Sequence, residues 1–398
     1  MDDEGLLTTA EVARRLGVKP ETVYAYVSRG QLTSRRERGT RSSLFSVAEV
    51  DRLASGRMVR RRPAGVMESV ATRLTLLEDD ELYYRGYRVR ELAGTRTLES
   101  VAALLWFGDL DDDFRVRVAE SAVARVRPVV AALPEGARLT DLLRVGVAAL
   151  APTDPWRFDL TPSTVTRSGG ALLRGLVEAL TPPGPPSATL AERLWPLLTS
   201  RGPQPEVLDV ALVLLADHGL AVSTVTARVA ASARAHVHAV VSAGLGALDG
   251  PFHGTASTAA HRFLADALAD PDAALAERLR AGEPVPGFGH AVYRRRDPRA
   301  GVLLDLVRPT PVGAVVAELV AQLAASGHPA PFPNVDLALA AVAHAHDMRP
   351  DAGEAIFAVA RTVGWIAHAL EEYSEPGLRF RSPGSYIGPR PRPVPRPR

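Results

Sequence analysis

The sequence predicts an almost wholly helical protein, with a large all-α body preceded by a small helical unit. Three observations carry this reading. The body has few alternating runs of β-branched residues and many Ala/Leu/Val stretches at helical spacing. Pro/Gly-rich connectors such as Pro182-Pro183-Gly184-Pro185-Pro186 separate those stretches. Little of the chain resembles the alternating strand–helix units of a doubly wound sheet.

The first unit spans residues 1–56. Thr9 offers an N-cap for the amphipathic run Ala10–Leu16, Gly17-Val18 makes a turn, and Pro20 opens a second helix. Arg35, Arg36, Arg38 and Arg41 then lie in a Gly/Ser/Thr-containing segment before a short run at Val47–Leu53. The order resembles the excisionase/MerR-like winged helix-turn-helix, which implies major-groove contact by Thr22, Tyr26, Ser28 and Arg29. The wing arginines Arg35, Arg36, Arg38 and Arg41 would meet phosphate. The alternative is a module kept for oligomerisation or regulation.

A basic linker, 57–63, leads into the body. A long proline-free stretch there, Glu206 to Gly250, places Leu208, Leu212 and Leu215 on one helix face, with a break expected at His218-Gly219. Further helices are expected over Glu99–Gly108, Val116–Ala132, Pro311–Ser326 and Ala352–Tyr373. The tail, 389–398, alternates Pro with Arg and reads as a disordered or extended appendage.

Charge is uneven. Residues 1–62 carry 13 Lys/Arg against 8 Asp/Glu, while 63–388 carry 30 against 37. Two basic ends flank an acidic body, so a polyanion would meet an end rather than the middle. Lys19 is the only lysine among 47 basic residues, so the arginine richness also fits a coding bias. The chain has no cysteine, which excludes disulfides, thiolate metal sites and a cysteine nucleophile. No apolar run approaches the roughly 20 residues that span a bilayer. The acidic start, Met1-Asp2-Asp3-Glu4, lacks a signal-peptide layout, so a cytoplasmic protein without membrane partners is expected.

Common catalytic motifs are missing: no Gly-Lys pair, no G-x-S-x-G elbow and no H-E-x-x-H occurs. Gly244-Leu-Gly246-Ala-Leu-Asp-Gly250 is one residue too long for a dinucleotide fingerprint and falls within a helix, where small residues permit close packing. The pairs His236/His238 and His344/His346 point to different helix faces, so no metal site is expected. What remains are histidines beside glycine and proline, where exposed functional backbone concentrates. They lie in Gly250-Pro251-Phe252-His253-Gly254 and in Pro286-Gly287-Phe288-Gly289-His290-Ala291-Val292-Tyr293, the latter followed by Asp297-Pro298-Arg299. With Pro333-Asn334-Val335-Asp336, these loops suggest two imidazoles and one carboxylate delivered to a common cleft.

These segments resemble citrate synthase, and the match runs in order through nearly the whole body. It begins at Leu82-Tyr83-Tyr84-Arg85-Gly86-Tyr87 and continues through Ala216-Asp217-His218-Gly219-Leu220, Ser223-Thr224 and the three loops above. It closes with Ala360-Arg361-Thr362-Val363-Gly364-Trp365 and Tyr386-Ile387-Gly388-Pro389. The resemblance implies the two-domain citrate synthase fold, with a large domain over 64–252 plus 361–388 and a small domain over 253–360. It makes Asp336 the base toward the acyl-CoA α-carbon, His253 the donor to the thioester oxygen, and His290 the donor to the ketone of a 2-oxo acid. His218, Arg299, Arg361 and Arg381 would bind the substrate carboxylates, Arg381 across a homodimer interface. Val285, Pro286, Gly287, Phe288 and Gly289 would offer backbone to the CoA adenine.

The implied reaction is the tricarboxylic acid cycle step joining acetyl-CoA to oxaloacetate to give citrate and CoA, with no metal or prosthetic group. Two alternatives stay open. One is a 2-methylcitrate synthase using propionyl-CoA; the other is a metabolite-sensing DNA-binding regulator. Departures from the family pattern, Leu337-Ala338-Leu339-Ala340 after Asp336 and Thr255-Ala256-Ser257 after Gly254, bear on acyl preference.

Overall fold

The computed structural model describes residues 6–16, 18–28, 32–36, 43–47, 49–50, 70–185, 188–327 and 331–381. The linker 57–63 and the tail 389–398 lie outside them. The chain divides into an N-terminal unit ending at Val70 and a body, Ala71–Arg381.

In the N-terminal unit, helices Thr9–Leu16 and Pro20–Ser28 pack with a three-stranded antiparallel sheet whose central strand is Ser43–Ser46. Leu6 pairs with Ser46 on one side and Arg35 with Leu44 on the other. The cap of the first helix is Thr8, one residue earlier than expected. The Thr8 N–H and hydroxyl both donate to Glu11 Oε2 at 2.8 Å, so the first-turn carboxylate reaches back over the helix start. Val12, Ala13, Val23, Leu32, Phe45 and Val50 form the core.

The body is helical, as expected, with one addition. Residues Thr75–Glu78, Glu81–Tyr84 and Tyr87–Arg88 form a small antiparallel sheet that a helical reading does not foresee. Its strands are four residues or fewer, too short for alternation to register against a helical background. Helices Leu98–Phe107, Glu120–Ala131, Pro311–Ala325 and Ala352–Tyr373 fall where periodicity puts them. The long stretch breaks at the expected His218-Gly219 turn, where Gly219 takes φ +59°. It breaks again at Arg234, which adopts φ +61°, leaving helices Pro205–Leu215, Val222–Ser232 and Val237–Leu248.

The body's centre is Ala352–Tyr373, buried without interruption from Ala352 to Ala369. Two glycine contacts let neighbours approach it. A Cβ on Gly244 would sit 2.6 Å from the Trp365 ring, so the glycine of Val237–Leu248 admits that ring. A Cβ on Gly364 would meet Ala216 O and Asp217 Oδ1 at 2.5 Å, so the central helix presses directly on the His218 turn. The seam expected between 360 and 361 falls inside this continuous helix.

Candidate active site

The Gly364 contact brings Arg361 and His218 to one place. Arg361 is fully buried, and its Nε donates to Leu215 O at 2.9 Å. Neither terminal guanidinium nitrogen has a partner. Burial, with Arg299 adding, lowers its pKa to about 10 against the pull of Asp217. An unpaired buried guanidinium is costly unless an anion completes it.

The turn carrying His218 is fixed from three sides. The Tyr84 hydroxyl donates to Asp217 O at 2.9 Å and accepts from Asp217 N–H at 3.0 Å. Gly219 N–H donates to Asp217 Oδ2 at 2.9 Å, and the Thr75 hydroxyl donates to the same oxygen. His368 accepts from Arg228 Nη1 at its Nδ1, so its Nε2–H faces Asp217 at 3.3 Å. Burial alone would raise the Asp217 pKa, but His368 and the hydrogen bonds hold it below its ordinary value.

His290 sits on the irregular loop before the helix Pro298–Val307. Its Nδ1 accepts from Val292 N–H at 3.0 Å, and its Nε2 lies 3.4 Å from Arg299 Nη2. Its ring lies 5.4 Å from that of His218 and 4.8 Å from Tyr293, whose hydroxyl is 2.9 Å from His218 Nε2. Arg299 is buried and bidentate with Asp297, Nε to Oδ1 at 2.9 Å and Nη2 to Oδ2 at 2.8 Å. Asp297 also accepts from Val335 N–H at 3.0 Å, tying this loop to the helix that starts beside Asp336.

Asn334 caps that helix, accepting from Asp336 N–H at 2.9 Å, while its Nδ2 donates to Gly289 O at 2.8 Å. The Asp336 pKa rises to about 7, mainly from burial and also from Asp297, with Arg299 opposing. His253 follows the helix Val237–Leu248 and lies 2.7 Å from the Ser223 hydroxyl through Nε2. Its ring packs edge-on against Phe357 at 5.4 Å, and Arg361 lies over the same phenyl at 4.5 Å. Burial first, then Arg361 and Arg299, brings the His253 pKa to about 4. His290 falls to about 4 through burial and Arg299, and His218 lies well below its ordinary value for the same reasons. All three imidazoles are therefore neutral at pH 7.

Six of the seven expected chemical residues thus converge: His218, His253, His290, Arg299, Asp336 and Arg361. The seventh, Arg381, is exposed, and none of the described hydrogen bonds or ion pairs joins its side chain to the cluster. In the expected CoA loop, Val285 is buried and Gly287 and Gly289 adopt φ +83° and +72°. Gly289 N–H donates to Phe332 O, and Gly287 O accepts from Asn334 N–H, so much of this backbone is already paired within the chain. Sequence reading missed Ser223, Tyr293, Asp297 and Asn334 as parts of the site. Asn334 carried a signal, since Asn immediately before an apolar run is a helix cap.

Among the expected DNA-contact residues, Thr22 is half-buried and Tyr26 packs partly against the unit's core, whereas Tyr24 is 55% exposed. Arg29, Arg38 and Arg41 lie outside the described residues, as do the side chains of Ser28, Arg35 and Arg36. Among the described residues, no group of three or more His, Asp or Glu could hold a metal ion, and no helix is long and apolar enough to cross a membrane.

A helical body that gathers a carboxyl of raised pKa, neutral imidazoles and an unpaired buried guanidinium can take a proton, donate to oxygen and hold an anion. Residues 64–382 match the citrate synthase C-terminal domain, and the chain belongs to the citrate synthase family. Residues 6–58 match a helix-turn-helix domain. The chain is 30% identical over 341 residues to citrate synthase 2 of Bacillus subtilis, covering 78% of this chain and 91% of that one. It is 28% identical over 358 residues to 2-methylcitrate synthase 2 of Corynebacterium glutamicum, covering 80% and 92%. In fold it resembles the citrate synthase of Pyrobaculum aerophilum, with a TM-score of 0.69, 24% identity and coverage of 83% and 93%. It also resembles that of Thermoplasma acidophilum in ternary complex with carboxymethyl coenzyme A and oxaloacetate, with a TM-score of 0.68 at 23% identity, covering 82% and 96%.

Proposed function

We propose that the chain condenses acetyl-CoA with oxaloacetate and hydrolyses the product thioester to citrate and CoA. The observation carrying this is Arg361, a buried guanidinium with both terminal nitrogens unpaired beside neutral His218 and His290. A carboxylate of the 2-oxo acid completes it bidentately, with Arg299 and His218 alongside. Asp336 removes the α-proton of the acyl group. The Ser223 hydroxyl pairs with His253 Nε2, and the His253 imidazole donates to the thioester oxygen as the enol forms. The enol carbon attacks the ketone carbon, and the His290 imidazole stabilises the new alkoxide. Water then cleaves the thioester, releasing CoA. The condensation as proposed draws on side chains alone and calls on no metal or prosthetic group. Arg381 serves a neighbouring subunit of a homodimer, consistent with its exposure, and Val285–Gly289 lies along the CoA.

The test is release of free thiol from oxaloacetate with acetyl-CoA or propionyl-CoA. Release with acetyl-CoA, lost in Asp336→Ala, supports the reading. Faster release with propionyl-CoA makes the chain a 2-methylcitrate synthase, since one methylene is worth only about 1–3 kcal/mol in a pocket. No release with either, from folded protein, overturns it. The helix-turn-helix domain supports a second role, DNA binding through residues 1–56 in a protein of the cytoplasm. Salt-dependent binding to genomic fragments, lost on deleting residues 1–62, is expected.

A further inference from the structure

The loop from His290 to Arg296 has no helix or strand to hold it, yet it carries two groups that face the 2-oxo-acid pocket. Four successive backbone N–H groups are taken up by two side chains. Val292 and Tyr293 donate to His290 Nδ1 at 3.0 and 3.4 Å. Arg294 and Arg295 donate to Asp80 Oδ1 and Oδ2 at 2.8 and 3.0 Å. Asp80 comes from far away in sequence, at the tip of the hairpin Thr75–Glu78/Glu81–Tyr84.

That tip breaks a local rule. The register Glu78↔Glu81 leaves a two-residue turn, and Asp79 and Asp80 take φ +51° and +58°. Such turns favour Asn-Gly because left-handed backbone disfavours a Cβ, at about 1 kcal/mol or more per residue. Two consecutive aspartates there gain nothing locally, and strain of this kind persists where the surroundings use it. The Asp80 side chain is only 8% exposed, whereas Arg295 beside it is 81% exposed. The backbone bonds to Arg294 and Arg295, rather than the ion pair at 3.5 Å, therefore dominate. They also hold the carboxyl below its ordinary pKa, the Arg294 N–H contributing most.

We propose that Asp80 is a positioning residue for the 2-oxo-acid pocket, acting through the backbone of the His290–Arg296 loop. Released from Asp80, the loop backbone keeps only its internal bonds to His290 Nδ1, with the side chains of Arg296 on Glu81 and Tyr293 on His218 as its remaining ties. Those bonds orient the His290 ring, and the same loop holds the Tyr293 hydroxyl on His218 Nε2. Loss of Asp80 thus disturbs His290 and His218 together, while Asp336, His253 and Ser223 stand on other elements. The inference rests on the proposed oxaloacetate reading of the site.

The experiment measures oxaloacetate binding by calorimetry, the melting temperature, and KM for each substrate, on the full chain. In Asp80→Ala, the Kd and KM for oxaloacetate should rise about tenfold or more, misplacement near 1 Å costing up to about 10². The acyl-CoA KM should stay within about twofold of wild type on the same reasoning. Asp80→Asn, which keeps one acceptor oxygen, should fall between. Asp79→Gly, which relieves strain and keeps the Asp80 carboxylate, should leave both KM values unchanged. Unchanged oxaloacetate Kd in both Asp80 variants overturns the inference. So does an equal rise in both KM values, which marks a general loss of structure. If Asp80→Ala does not fold, Asp80→Asn decides. Wild-type protein that binds no oxaloacetate overturns the functional reading itself.

Discussion

Replacing Arg361 with methionine should make the ligand-free protein more stable and blind to oxaloacetate. The folded-state pKa of this guanidinium is about 10, lowered from 12.5. At about 1.4 kcal/mol per unit, keeping it charged costs about 3 kcal/mol. For a base lowered in the folded state, that cost is fully present below pH 10 and fades only as pH climbs toward 12.5, so at pH 7 it is paid in full. Methionine fills similar space without charge. It forfeits the Nε bond to Leu215 O and the contact over Phe357, worth together about 1–2 kcal/mol. The net gain is about 1–2 kcal/mol, or about 2–3 °C for a unit the size of Ala71–Arg381. Thermal melts with and without oxaloacetate provide the assay. Wild type should gain about 4 °C at a ligand concentration near 100 times Kd, and the variant should gain nothing. A variant less stable than wild type without ligand, or one still stabilised by oxaloacetate, refutes the idea that Arg361 is an unpaired charge awaiting an anion.

Four further outcomes follow from particular residues. With the Asp336 pKa near 7 and His253 and His290 near 4, kcat/KM should fall with an apparent pKa near 7 as pH drops, because only the carboxylate can take the α-proton. A carboxyl raised in the folded state favours folding fully below its unfolded value of 3.8 and loses that contribution as pH rises through 7, so Asp336→Asn should be inactive yet raise the melting temperature more at pH 8 than at pH 5. Asp209, also raised to about 7 by burial and by Glu99, should behave likewise: Asp209→Asn stabilises above pH 7 and leaves activity intact, measured by melts at the two pH values and thiol release. Gly244→Ala drives a methyl into the Trp365 ring and should destabilise by about 1–3 kcal/mol or more, read from a denaturant midpoint.

Sequence alone determined the helical body, because Ala/Leu/Val periodicity over ten or more residues leaves a strong signature, as in Pro311–Ala325 and Ala352–Tyr373. It also pointed to the loops of His253, His290 and Asp336, since histidine and aspartate beside glycine and proline mark backbone that packing does not explain. His218, Arg299 and Arg361 were reached only through the family resemblance. These six side chains lie together in the folded body. The short sheet at Thr75–Arg88 left little trace, because strands of two to four residues carry too few alternations.

Only the tertiary structure decided how the chemical groups are tuned. Arg361 and Arg299 look alike in sequence, yet Asp297 satisfies Arg299 whereas both terminal nitrogens of Arg361 are left open. That difference depends on which carboxylate lies within 3 Å, a distance no local pattern encodes. The clasp of Asp80 on Arg294 and Arg295 spans more than 200 residues of chain for the same reason. Periodicity reports what a segment buries, but protonation state and loop position depend on partners that only folding brings together.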